Sequence, residues 1–74
     1  MQFPTRPEIE QLKALYMGKK IELIQMVDDP LPIEPGTKGI VKNVDDLGQL
    51  EVDWENNRTL RVALYAGDKV NIIS

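Results

Sequence analysis

Two spacings of apolar residues divide the chain. Ile9, Leu12, Leu15 and Tyr16 recur three or four positions apart and make one stripe of a helix over residues 5–17. Thr5 and Glu8 have the spacing of a capping box, in which hydroxyl and carboxylate satisfy the free N–H groups of the first turn. Pro7 falls where its missing N–H costs nothing. Glu8 and Glu10 sit near the positive end of the helix dipole, Lys19 and Lys20 follow the negative end, and Gly18 suits a left-handed terminator. After Gly18 the period becomes two. In Gln49 to Trp54, Leu50, Val52 and Trp54 face one way and Glu51 and Asp53 the other, the pattern of a half-buried strand. Shorter runs predict further strands at 20–26, 38–44, 58–62 and 69–73. The joins are a loop with prolines at 30, 32 and 35, a turn at 45–48 ending in Gly48, a two-residue hairpin turn at Asn56-Asn57, and a connection at 63–68 with room for one helical turn.

This pattern predicts a single domain over residues 1–74, mainly β with one N-terminal helix. Five closely spaced strands with Gly and Pro at the joins suit a small, partly open barrel, and the long loop between the first two strands resembles that of SH3-like barrels. Alternation leaves Ile24, Ile40 and Ile73 pointing outward. The helix stripe is the available cover for them, which predicts a helix packed on the barrel; a dimer face is the alternative.

Composition narrows the chemistry. The chain has no Cys and no His, and its one Ser is Ser74. That removes thiolate metal sites, the usual general base and most nucleophiles, so neither enzymatic activity nor a cofactor or metal is expected. Apolar residues make up 42% of 74 positions, enough for one core held by packing alone. No run approaches the ~18 apolar residues of a membrane span, and Met1-Gln2-Phe3-Pro4 lacks the form of a secretory signal. A cytoplasmic protein without membrane contact is the expectation.

Three runs together are distinctive: Met26-Val27-Asp28-Asp29-Pro30, Pro35-Gly36-Thr37-Lys38-Gly39-Ile40-Val41, and Val44-Asp45-Asp46 leading through Gly48, Leu50 and Val52 to Trp54. With the leading helix and the segment from Leu60 to Gly67-Asp68, they resemble a family of short bacterial and phage proteins, the domain of unknown function 4314, over nearly the whole chain. The resemblance implies a small β-barrel and no particular activity. Asn56-Asn57-Arg58 stands where that family tends to have Asn-Gly, and Tyr65-Ala66-Gly67-Asp68 lacks a proline common there.

Pro35-Gly36-Thr37-Lys38-Gly39 lacks the spacing of a phosphate-binding loop and reads as a turn followed by a close backbone approach at Gly39. Asp28-Asp29 and Asp45-Asp46 lack the alternating spacing of a calcium loop and read as turn carboxylates. Trp54 belongs to the core by its face, while Tyr65 either stacks on a ligand or caps the core. A loop on a rigid scaffold commonly carries function. The first expectation is therefore a non-enzymatic module that binds a protein partner through the 27–36 loop and the barrel surface, with Asp28, Asp29, Leu31, Ile33 and Tyr65 as contact candidates. The second is nucleic-acid binding through a face carrying Lys38, Lys42 and Arg61, against which stands pairing of these cations with Glu22, Glu51 and Asp53. The third, which follows from the phage association that the resemblance implies, is an acidic phage-type inhibitor of a host protein, for which the acidic residues would have to form a continuous patch. The expected state is a monomer or weak homodimer.

Overall fold

A computed structural model describes residues 4–27 and 30–74. The order of elements is α1 (Arg6–Tyr16), β1 (Lys20–Gln25), β2 (Lys38–Val44), β3 (Gln49–Trp54), β4 (Val62–Ala63), a 3-10 turn (Leu64–Ala66) and β5 (Lys69–Ile72). The strands form one antiparallel sheet in the order β4-β3-β2-β1-β5. It is not closed into a barrel: β4 and β5 are its edges, and no ladder joins them among the described residues.

The capping box is present. Thr5 N–H donates to Glu8 Oε1 at 2.8 Å, and Glu8 N–H donates to Thr5 Oγ1 at 3.4 Å. The Thr5 amide, and after it the Thr5 hydroxyl, holds the Glu8 carboxyl below its ordinary 4.5. Gly18 follows the helix with a φ of 76°. Its N–H donates to Val41 O at 2.8 Å, so the helix exit is tied directly to β2.

Ile21, Leu23, Val41, Val44, Leu50, Val52, Trp54 and Val62 form the core with Ile9 and Ile33, and Leu12 and Tyr16 lie against it. Gly39 answers to its neighbours. A Cβ there would stand 2.8 Å from Asp53 O and 2.7 Å from Val52 Cγ1. A bulge between Val41 and Asn43 sends Lys42 and Asn43 both outward and returns Val44 to the core.

Three expectations change in detail. The hairpin after β3 is a three-residue loop, Glu55-Asn56-Asn57. Asn57 N–H donates to Trp54 O at 3.0 Å, Trp54 N–H donates to Arg58 O at 3.1 Å, and Asn57 takes the left-handed φ of 68°. The fourth strand is only Val62–Ala63, because the residues before it have other hydrogen-bond partners: the Trp54 indole N–H donates to Leu60 O at 2.8 Å, and Arg58 reaches across to the proline loop. The outward isoleucines Ile24, Ile40 and Ile73 remain exposed, as does Leu15 of the helix stripe, so α1 buries none of them.

Candidate functional site

The loop from β1 to β2 is braced at several points. The Asp68 carboxylate, 7% exposed, accepts two backbone bonds: Val27 N–H to Oδ1 at 2.9 Å and Ala63 N–H to Oδ2 at 2.9 Å. It therefore joins the start of the loop to β4. Gln25 Nε2 donates to Gly67 O at 3.1 Å beside it. Farther along, the Arg58 guanidinium donates to Leu31 O at 2.6 Å and Pro32 O at 3.2 Å. One planar fork thus fixes two successive carbonyls, which a lysine cannot do. Ile33 is 1% exposed and belongs to the core, its N–H toward Met26 Sδ at 3.5 Å. It anchors the loop from below and is not on offer to a partner. Between these braces Leu31 stands 71% exposed, more than any other large apolar side chain described. Asp28 and Asp29 lie outside the described residues.

Tyr65 is elsewhere. It is 47% exposed, and its ring lies against Gly48, 2.9 Å from where a Cβ would be, with Pro4 Cγ at the same distance. Gly48 precedes β3 and Arg58 follows it, so Tyr65 and Leu31 belong to opposite ends of a strand on the order of 17 Å long. Tyr65 is not brought together with the loop candidates.

The basic candidates are divided in the same way. Lys42 and Arg61 line one open groove of about 1040 Å³ beside the 57–61 segment, together with Arg58 and Glu51. Lys42 Nζ lies 3.2 Å from Asp53 Oδ1, and Arg61 lies 3.8 Å from Asp45 and 4.0 Å from Glu51. Their charge is answered locally by carboxylates. Lys38 stands across the ladder from Glu22, away from that groove.

Asp45 serves its turn, its Oδ1 accepting from Leu47 N–H and Gln49 N–H at 2.9 Å each. Among the described residues no group of three or more carboxylates is placed to hold a metal ion, and no helix is long and apolar enough to cross a membrane. Asp68 and Arg58 are the residues that sequence reasoning passed over. Gly67-Asp68 carried a faint signal: a glycine able to take positive φ, here 109°, turns the next carboxylate back toward the chain.

The family described as Domain of unknown function (DUF4314) matches residues 5–73. No curated protein and no solved structure matches the chain.

Proposed function

Because the chain belongs to the DUF4314 family, whose description assigns no activity, we propose a function from its geometry: a non-catalytic module that binds a protein partner through the β1–β2 loop, with Leu31 at the contact. The observation that carries this is an exposed leucine on a braced backbone. Asp68 holds the start of the loop, and Arg58 and the buried Ile33 hold residues 31–33, so little backbone freedom around Leu31 is left to lose on binding. An exposed apolar side chain held in that way can be covered by a partner at little ordering cost.

We infer that the scaffold is of the SH3-like class, a small sheet curled into a partly open barrel with β4 and β5 left unjoined, carrying the helix against it. The strand order, the 3-10 turn before β5 and the burial of Ile9 among sheet residues support that reading. We place the module in the bacterial cytoplasm, in cells or phages of the kind the family resemblance implies. The nucleic-acid alternative has less support, because Lys42 and Arg61 already face Asp53, Asp45 and Glu51. The acidic-inhibitor alternative needs a continuous negative patch, whereas the carboxylates of β3, Glu51 and Asp53, face Arg61 and Lys42.

A photo-crosslinking residue placed at position 31 in cells tests the proposal. One protein adduct, lost on adding an untagged excess of the unmodified chain, is the expected result. Crosslinks only to nucleic acid, or the same adducts from a probe at exposed Asp46, would overturn it.

A further inference from the structure

Among the described residues β5 is an open edge of the sheet, and its sequence is compatible with itself. Ile73 N–H donates to Lys20 O at 2.8 Å. Odd-numbered residues of this segment therefore turn their backbone groups toward β1, and Val70 and Ile72 turn theirs outward, since successive residues alternate. No proline and no bulge on the outer side guards this edge, and Lys69 is its only charge. The side chains point the same way. Ile72 stands in register with the fully buried Ile21, yet it is 40% exposed, so the core runs out to the margin of the sheet there.

We propose that β5 pairs antiparallel with β5 of a second copy of this chain, about a two-fold axis at Asn71. Val70 of each copy then faces Ile72 of the other, and each of these pairings exchanges two backbone hydrogen bonds. The half-exposed Ile72 is covered by an apolar side chain on the core face. On the outer face, Lys69 of each copy stands opposite Ile73 of the other, so no like charges meet. Asn71 meets its own copy in a non-hydrogen-bonded pair, where side chains are closest. The strand is short, so the interface falls below the size of stable dimers. A dissociation constant between about 10 µM and 1 mM is expected. This pairing is independent of the loop reading above and stands or fails separately from it.

The test is sedimentation velocity on the full chain from about 10 µM to about 1 mM. The wild type is expected to pass from monomer to dimer and stop there. Asn71→Lys alone, and Asn71→Asp alone, place like charges face to face and should each weaken the dimer at least about fivefold. An equimolar mixture of the two should restore association to within about twofold of the wild type. Asn71 is exposed in the monomer, so unchanged circular dichroism certifies the fold. Ile73→Lys, which sets two lysines opposite across the axis, gives the same loss should either Asn71 variant misfold. A wild type monomeric throughout, a dimer indifferent to these substitutions, or growth beyond the dimer by pairing of β5 with β4 would each overturn the proposal.

Discussion

Replacing Asp68 separates a structural carboxylate from an ordinary acidic side chain. Its two oxygens accept from Val27 and Ala63, residues 41 and 5 positions away, at 2.9 Å each. Backbone bonds to a charged acceptor contribute about 1.5–3 kcal/mol apiece. Asp68→Asn keeps one acceptor and turns an amide N–H toward the other donor, so one bond is lost and a donor is left facing a donor. The expected cost is about 2 kcal/mol. Asp68→Ala removes both bonds; water reaches the exposed Val27, which limits the cost to about 3–4 kcal/mol. A chain of this length has roughly 4–11 kcal/mol in all. The alanine variant therefore approaches the limit of folding, and the asparagine variant is the informative one. Its melting temperature should fall by about 8–16 °C, and amide exchange of Val27 and Ala63 should accelerate beyond the global change. Asp46→Asn, at an exposed turn position, is the control and should change stability by less than about 0.5 kcal/mol. A melting temperature for Asp68→Asn within about 2 °C of the wild type would refute the reasoning.

The Glu8 carboxyl has its folded value lowered, so its contribution to α1 is present above the unfolded value of 4.5 and lost as pH falls through the folded one. Helical circular dichroism should decline from about pH 5 downward in the wild type more than in Glu8→Gln, and identical acid profiles would count against the capping box. Gly39→Ala drives a Cβ to 2.8 Å from a backbone oxygen, and denaturant midpoints should show a loss of roughly 1–3 kcal/mol; a neutral result would mean that β2 and β3 are farther apart than described. Arg58→Lys retains the charge and loses the fork on Leu31 and Pro32, so amide exchange at Leu31 should rise while the melting temperature moves by only a few degrees. Unchanged exchange at Leu31 would show that Arg58 does not brace the loop.

How far the sequence carried these features depended on whether their causes are local. The capping box, the left-handed Gly18, the turn ending at Gly48, and the alternation of Gln49–Trp54 all follow from neighbours within four residues, and all are present. The close approach at Gly39 was legible for the same reason: a glycine within a β-branched run has few other uses. The fourth strand was not, because its length is set by distant partners. Leu60 O is taken by the Trp54 indole, and Arg58 is drawn to carbonyls of residues 31 and 32. Ile33 sits between two prolines, where no period marks one face from another, and only the closed structure buries it. The bulge at Val41–Asn43 was not anticipated: it leaves the outward placement of Lys38, Ile40 and Lys42 unchanged and exchanges the faces of Asn43 and Val44. At the candidate site, the loop and its exposed leucine could be read; the residues that hold it could not. A carboxylate that bonds backbone 41 positions away has no signature in spacing.

The geometry of β1 links the two surfaces argued above. The loop leaves β1 at Gln25, while β5 lies alongside β1 with Lys69 at that same end and Ile72 beside Ile21 near the other. Pairing at the outer edge of β5 through residues 69–73 uses no backbone group of the loop. A two-fold axis at Asn71 reverses the strands of the second copy, so the two loops emerge at opposite ends of the joined sheet and face apart. Such a dimer cannot close both loops on one small globular surface. It can engage two copies of a partner, or two sites of an extended or repetitive one, and only in that case does the second contact gain from an effective concentration set by the rigid sheet. A weak dimer is then sufficient, because a bivalent partner would itself hold the two copies together. It follows that Asn71→Lys should leave binding to an isolated partner domain unchanged and lower apparent affinity for the intact assembly by tenfold or more, a difference of at least about 1.4 kcal/mol. Equal losses for both would instead mean that the edge and the loop form a single surface.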